Sequence, residues 1–125
     1  MVELLSRLGG LDIAGLCGVY LGGARCGVPV VVDGYISSVA ALCALRLCPR
    51  AGKAMLASHC SLEAGGEELL SALGKQPVIR AGMHLGEGGG ALLLLPMLRA
   101  VLRVFNSGHD FGKLGIAPYR RLSSE

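Results

Sequence analysis

Polar residues that could carry out chemistry follow three apolar runs of this 125-residue chain. Asp33 and Gly34 come directly after a valine-rich run, Ser58–Ser61 follow a second apolar run, and the glycine loop Gly86–Gly88 contains Glu87. If the runs are parallel strands, their carboxyl ends meet at one edge of a sheet, where ligands of such sheets bind. The three clusters together predict a binding site at that edge.

Glu87 is a single carboxylate between glycines, and the glycines would let a ligand approach it closely. A partly buried carboxylate at this place would suit proton abstraction; the alternative is a solvated loop residue. Asp33 is either a ligand contact or a turn or helix-cap residue. Ser61 could cap the helix behind it, which would also direct helix N–H groups at a phosphate. His59 and His84 are more often structural or incidental than ligands at such positions.

The segment Gly86–Ala91 also fits the pattern G-x-G-x-x-A of dinucleotide-binding loops. Such a match is weak in a chain with 20 glycines. The pattern also requires an acidic residue about 20 residues further on. Near that position the sequence has only Asp110. A small nicotinamide-binding domain stays open as a weaker hypothesis.

The elements that must position these residues alternate between helices and strands. Helices are predicted over 4–21 (broken near Gly9–Gly10 and ended by Gly22–Gly23), 39–47 (capped by Ser37 or Ser38), 62–73 and 91–105, and strands over 28–33, 55–59 and 77–80. This order predicts an α/β fold, a three-layer Rossmann-like arrangement with a partial parallel sheet of about three strands flanked by helices. Residues 1–106 would form this domain portion, and residues 107–125 a polar, flexible tail.

The composition excludes several classes of protein. With 52% hydrophobic and 17% charged residues, the chain is too apolar to be disordered. Its net charge of +3 and its 4% aromatic content do not indicate a nucleic-acid partner. Five cysteines without a C-x-x-C pair argue against a zinc site and fit a reducing, cytoplasmic compartment. No apolar run approaches the about 20 residues of a membrane span, so we expect no membrane partner.

Four segments occur in an order and at spacings that point to a known family. They are Gly9–Ala14, Val28–Ser38, Ser58–Ser61 and Leu85–Ala91. Together they resemble the C-terminal part of the nicotinate-nucleotide–dimethylbenzimidazole phosphoribosyltransferase family, over about residues 3–106. That family transfers phosphoribose from nicotinate mononucleotide to 5,6-dimethylbenzimidazole, giving α-ribazole 5′-phosphate and nicotinate, a step that builds the lower ligand of cobalamin.

The resemblance implies roles for individual residues. Glu87 falls on the glutamate of the family's L-G-E-G motif and would be the catalytic base. The resemblance implies that the substrates contact Asp33, Gly34, Ser61, Leu85, Gly86 and Gly88. Asp33 and Gly34 would border the ribose or phosphate, Ser61 would contact the phosphate, and the glycine-loop residues would line the base pocket. No metal or cofactor is implied.

The glycine-rich loop and the lysine that the family carries in its N-terminal half have no counterpart in this sequence. We therefore expect a truncated form of the enzyme. The alternative is a non-catalytic fragment that binds ligand weakly or pairs with a full-length subunit. The family resemblance and the apolar composition together suggest a homodimer or association with a complementary chain.

Overall fold

A computed structural model describes residues 1–117 of the chain. The helices are α1 (Val2–Leu8), α2 (Leu11–Cys26), α3 (Tyr35–Leu47), α4 (Gly66–Leu73) and α5 (Gly89–Asn106), the strands are β1 (Val30–Val32) and β2 (Met55–Ala57), and a 3₁₀ helix covers Pro49–Ala54. The part of the predicted tail from residue 118 onward, with Arg120 and Arg121, lies outside the described residues.

The two strands pair in parallel, with Val30 opposite Met55 and Val32 opposite Ala57. The connection between them runs through α3 and the 3₁₀ helix, as a parallel pair requires. A third extended segment joins by a single parallel bridge between His59 and Ile79. The α/β fold class is therefore confirmed, and the third predicted strand is reduced to this bridge.

The core lies between the helices and one face of the sheet. Apart from Ser38, the buried residues of α3 are alanines, Ala40, Ala41 and Ala44, and their small side chains allow α2 and α3 to pack closely. From the sheet, Met55 and Ala57 point into this core, whereas Leu56 between them is 38% exposed. One face of the sheet is thus only partly covered, although parallel sheets are normally covered on both faces.

Several helix boundaries differ from those that the sequence predicts. The break at Gly9–Gly10 is confirmed, since α1 ends just before it and α2 begins just after it. The predicted end of α2 at Gly22–Gly23 is wrong, because the helix continues to Cys26 and ends at Gly27, which has a left-handed φ of 69°. Helix α3 begins four residues earlier than predicted, at Tyr35, and α4 begins four residues later, at Gly66.

The chain divides into two compact units, residues 1–94 and residues from Leu95 onward. The predicted boundary after residue 106 stays a prediction. Among the described residues, α5 is long and apolar enough to cross a membrane by length and composition alone, with 11% of it buried. Mostly buried core helices of soluble proteins meet the same criterion, but α5 is largely exposed; it also contains Pro96, Arg99 and Arg103. The absence of a membrane partner also stays a prediction.

Candidate active site

The carboxylate of Asp33 connects the end of β1 to the glycine loop. Its Oδ2 accepts a hydrogen bond from the Gly88 N–H at 3.1 Å, and its Oδ1 accepts one from the Ala91 N–H at 2.8 Å. The first N–H groups of a helix have no partner within the helix and favour negative charge. Asp33 therefore caps the start of α5 from a distant part of the chain, and it brings together two of the three predicted clusters.

The backbone of Asp33 is itself fixed by hydrogen bonds. Its N–H donates to Ser37 Oγ at 2.7 Å, and the same Oγ lies 2.9 Å from the hydroxyl of Tyr20. Burial raises the pKa of the Tyr20 phenol, and the hydrogen bond with Ser37 opposes this shift. A chain of contacts thus leads from α2 through Ser37 to the end of β1.

Ser58 and His59 form the next part of the site, where β2 ends. The hydroxyl of Ser58 donates to the Val32 carbonyl oxygen at 2.8 Å, and its Oγ lies 3.0 Å from His59 Nδ1. Ser58 Oγ also lies 3.2 Å from the Asp33 carbonyl oxygen, and the direction of the Ser58–His59 hydrogen bond depends on the tautomer of the imidazole. His59 is 3% exposed, so its ring is part of the packed interior of the site.

The ring of His59 lies directly against Gly90 in the first turn of α5. A Cβ atom at Gly90 would lie 2.6 Å from His59 Cε1 and 2.9 Å from Cγ. Real Cβ contacts essentially never come that close, so only glycine allows this approach. Gly34 lies near the same ring, where a Cβ would make an ordinary 3.8 Å contact.

Glu87 lies in a run of three left-handed residues. The φ angles are 73° at Gly86, 55° at Glu87 and 80° at Gly88. Within residues 1–117, Glu87 is the only residue other than glycine that has a positive φ. This conformation costs an L-residue roughly 1–2 kcal/mol, so other interactions must hold it in place. The side chain of Glu87 is exposed. This exposure agrees with the alternative that Glu87 is a solvated loop residue, and not with partial burial of its carboxylate.

Ser61 lies in a separate cavity of about 420 Å³. Its lining includes Cys60, Ser61, Gly66, Glu67 and Arg80. The predicted role of Ser61 as the cap of α4 is wrong, because Gly65 is the N-cap residue and Ser61 Oγ accepts a hydrogen bond from the Glu63 N–H at 3.3 Å.

Two charged groups of this cavity, Arg80 and Glu67, are paired with each other, and Glu63 and Glu68 also line it. Arg80 forms a bidentate ion pair with Glu67, which holds the pKa of the Glu67 carboxyl below its ordinary value. Burial, followed by the contact with Glu67, raises the pKa of the Cys60 thiol. The cavity contains a hydroxyl, a guanidinium and the start of a helix, but its three glutamates, Glu63, Glu67 and Glu68, outnumber Arg80, and this negative charge opposes an anion.

The remaining predicted site residues lie on the glycine loop or beside it. Leu85 is 79% exposed, so the predicted base pocket is open on this side. His84 is exposed, and its Nδ1 lies 3.5 Å from the Gly82 carbonyl oxygen. Within residues 1–117 there is no group of three or more histidine, cysteine or acidic residues that could hold a metal ion.

Sequence reasoning missed the supporting residues of this site. Ser37 was predicted as a helix cap, but its hydroxyl accepts from Asp33 instead. Ser58 and Gly90 were predicted only as members of a polar cluster and a glycine loop, without their contacts to His59. The glycine at position 90 was the one available signal, because a third successive glycine, after Gly88 and Gly89, exceeds what a turn needs.

Comparisons with known proteins place this chain in a family. Residues 1–116 match the model of a family described as phosphoribosyltransferase. A nicotinate-nucleotide–dimethylbenzimidazole phosphoribosyltransferase of Chromobacterium violaceum is 46% identical over 116 residues, which are 93% of this chain and 34% of that protein. The protein of the same name from Desulforamulus reducens is 42% identical, over 93% of this chain and 33% of its own length.

A solved structure gives the same result. The crystal structure of the nicotinate-nucleotide–dimethylbenzimidazole phosphoribosyltransferase of Thermus thermophilus superposes with a TM-score of 0.85 at 35% identity, covering 94% of this chain and 35% of that chain. The chain spans about a third of the length of these relatives. The resemblance based on four segments is confirmed, while the roles it implies for single residues stay predictions.

Proposed function

This chain belongs to the phosphoribosyltransferase family, and from that premise we propose that it carries the general-base part of a phosphoribosyl transfer. The donor is nicotinate mononucleotide, the acceptor is 5,6-dimethylbenzimidazole, and the products are α-ribazole 5′-phosphate and nicotinate. The name of the relatives that match 93% of the chain supports these substrates. The chain spans about a third of their length, so we propose this activity for it as part of a complete enzyme. A biosynthetic reaction of this kind would take place in the cytoplasm.

The proposed reaction exchanges one bond at the anomeric carbon of the ribose. The unprotonated ring nitrogen of the benzimidazole attacks C1 of the ribose from the face opposite nicotinate. The bond between C1 and the pyridine nitrogen breaks, and its electron pair stays on nicotinate. The proton on the second benzimidazole nitrogen moves to the Glu87 carboxylate, which makes the attacking ring a better nucleophile. Attack from the opposite face turns the β linkage into an α linkage.

The observation that carries this proposal is that the carboxylate of Asp33 holds the glycine loop that contains Glu87. Asp33 accepts hydrogen bonds from Gly88 and Ala91, on the C-terminal side of Glu87. The base is thereby fixed at the carboxyl end of β1, where ligands of parallel sheets bind. An exposed carboxylate in this place can be reached by an aromatic base, and an ionised carboxylate offers only acceptor oxygens, as a proton acceptor must.

The other predicted contacts surround this loop and the neighbouring cavity. Asp33 and Gly34 would border the ribose, and Leu85, Gly86 and Gly88 would line the pocket of the aromatic base. Ser61 would contact the phosphate in the cavity that also contains Arg80. Family membership favours this chemistry over the nicotinamide-binding alternative, which rested on the glycine pattern alone.

A turnover assay with a matched pair of variants tests the role of Glu87. The purified chain is incubated with nicotinate mononucleotide and 5,6-dimethylbenzimidazole, and α-ribazole 5′-phosphate is measured by liquid chromatography and mass spectrometry. Product from the unchanged chain and from Glu3→Gln, an exposed glutamate of α1, would show that this portion suffices for turnover, and no product from the folded chain would make it a portion that needs the rest of the enzyme. We expect Glu87→Gln to lower turnover by about 10²–10⁴-fold, the range of general-base catalysis. Equal turnover of the two variants would overturn the assignment of the base.

The second candidate function is that of a fragment that associates with a complementary or full-length chain, or with a second copy of itself. Its specific support is the exposed apolar surface. Within residues 95–117 the helix α5 exposes Val101, Leu102, Val104 and Phe105, and in the other unit the sheet exposes Leu56. Surfaces of this kind mark protein interfaces.

Light scattering coupled to size-exclusion chromatography tests this second candidate. The chain is run alone and mixed with the full-length Chromobacterium violaceum relative. A mixed complex supports association with a longer chain, and a dimer in the absence of the relative supports self-association. A monomer in both runs, together with product in the turnover assay, would eliminate this candidate.

A further inference from the structure

We propose that Asp33 is a positioning residue, whose carboxylate holds the peptide group after Glu87 and thereby fixes the backbone conformation of the base. The inference rests on the proposed role of Glu87. It adds a function for Asp33 beyond bordering the substrate, because both of its carboxylate oxygens accept hydrogen bonds from the loop. The chemistry is that of a helix cap supplied by a remote strand.

The position of the two donors carries the argument. The Gly88 N–H belongs to the peptide group that joins Glu87 to Gly88, so the 3.1 Å hydrogen bond to Asp33 fixes the orientation of that group. The Ala91 N–H lies in the first turn of α5, so the 2.8 Å bond fixes the helix that follows. One carboxylate therefore anchors the loop at two points on the C-terminal side of the base.

The loop needs such an anchor because its conformation is unfavourable for Glu87. The φ of 55° places an L-residue in the left-handed region, which glycine enters freely and glutamate does not. Gly86 and Gly88 carry the same sign of φ without this penalty. If the hydrogen bond to Gly88 were lost, Glu87 would relax toward negative φ and the direction of its side chain would change.

Asp33 can serve as an anchor because the residue is itself held rigidly. Its N–H donates to Ser37 Oγ at 2.7 Å, and Ser37 lies against the buried Tyr20. Val32, the preceding residue, is 1% exposed and accepts the hydroxyl hydrogen of Ser58. The carboxylate therefore projects from a fixed backbone. The loop takes its position from Asp33, and Asp33 does not take its position from the loop.

Amide hydrogen exchange, followed by NMR on the ¹⁵N-labelled full chain, tests the inference without any requirement for turnover. The variants are Asp33→Ala and Asp33→Asn, and the matched control is Asp12→Asn. Asp12 lies in the first turn of α2, where no side chain makes a cap hydrogen bond. The amides of interest are those of Gly88 and Ala91, and amides of α3 report global stability.

We expect Asp33→Ala to speed exchange at Gly88 and Ala91 by about 10–100-fold relative to the amides of α3, since each bond is to a charged acceptor. Asp33→Asn keeps one acceptor oxygen, so we expect a smaller change. Asp12→Asn should leave both amides unchanged. The Cα and Cβ chemical shifts of Glu87, which report its backbone conformation, should move only in the Asp33 variants.

Two results would overturn the inference. One is unchanged exchange and unchanged Glu87 shifts in both Asp33 variants. The other is a uniform increase of exchange in α3 and the loop, which would make Asp33 a residue of general stability. If Asp33→Ala does not fold, Asp33→Asn decides by the same criteria. Equal turnover of Glu87→Gln and its control variant would refute the proposed function and leave this structural result as it is, so the two failures are distinguishable.

Discussion

Replacing Gly90 by alanine is the sharpest test of how closely α5 approaches the end of β2. The added Cβ would lie 2.6 Å from His59 Cε1 and 2.9 Å from Cγ, closer than carbon atoms pack. The ring has little freedom to move away, because His59 is 3% exposed and its Nδ1 is hydrogen-bonded to Ser58 Oγ. Either the ring leaves its rotamer and this hydrogen bond breaks, or the start of α5 moves away from Asp33.

The magnitude follows from three contributions. Overpacking of a buried site costs about 1–3 kcal/mol. Loss of the Ser58–His59 hydrogen bond adds about 1 kcal/mol. Alanine is a better helix residue than glycine by about 1 kcal/mol, which offsets part of the cost. We expect Gly90→Ala to lower the free energy of unfolding by about 2 kcal/mol.

The neighbouring position supplies a matched control. A Cβ at Gly89 would meet only Met83 Cε, at an ordinary 3.8 Å, and Gly89 is also in the first turn of α5. Gly89→Ala should therefore leave the stability unchanged or raise it by up to about 1 kcal/mol, the same propensity difference as at Gly90.

Urea denaturation of the three proteins, followed by circular dichroism, measures these differences directly. The midpoint should fall in Gly90→Ala with an unchanged slope, which indicates a change of stability rather than of the unfolded state. In thermal unfolding the same change corresponds to roughly 6–10 °C for a chain of this size. If the two alanine variants are equally stable, the close contact between Gly90 and His59 does not exist in solution, and the geometry of the site is wrong.

Three further predictions follow from the packing of α2. Burial raises the pKa of the Tyr20 phenol, so its contribution to stability is present below about pH 10, the ordinary tyrosine pKa, and is lost as pH rises through the higher folded value. In urea titrations, Tyr20→Phe should therefore lower the free energy of unfolding by about 1 kcal/mol at neutral pH and reduce the loss of stability at alkaline pH. If the unfolding free energies of the variant and the unchanged chain fell in parallel with rising pH, this prediction would be contradicted. Burial, followed by the nearby Cys43, raises the pKa of the Cys17 thiol, so mass spectrometry should show iodoacetamide labelling exposed Cys26 long before Cys17; equal rates would contradict the burial. Gly27→Ala should cost about 1 kcal/mol in thermal unfolding because φ is 69°, and an unchanged midpoint would mean that α2 does not end there.

Local sequence rules predicted the parts of the fold that depend on local chemistry. The pair Gly9–Gly10 has poor helix propensity and separates α1 from α2 as predicted. The valine run gives β1, because β-branched side chains favour extended backbone. Gly74 ends α4 with a φ of 64°, which is the conformation that a helix-ending glycine supplies.

The prediction at Gly22–Gly23 failed for a reason that lies outside the helix. A Cβ at Gly23 would lie 2.8 Å from the Val28 carbonyl oxygen, and the Val28 N–H donates to the Gly23 carbonyl at 2.8 Å. The glycine is therefore required by the close return of the chain and not by the end of the helix. A composition rule treats both kinds of glycine alike, so it ended α2 too early.

The candidate site was predictable as a set of residues but not as a set of contacts. Family motifs and strand-end placement selected Asp33 and Glu87 from the sequence. The hydrogen bond between Asp33 and Ala91 joins residues separated by 58 positions, and no local pattern encodes it. Ser37 was predicted as a cap because serine favours that place, whereas α3 begins at Tyr35 and uses Ser37 to fix Asp33.

The two-stranded sheet also affects how the isolated chain behaves at high concentration. β1 pairs with β2 on one side, and no strand of residues 1–117 pairs with its other side. A free strand edge of three valines is a template for addition of a strand from another molecule. Pro29, which has no N–H to donate, precedes this edge and limits its length. Aggregation of the concentrated chain should therefore begin as edge-to-edge growth at Val30–Val32.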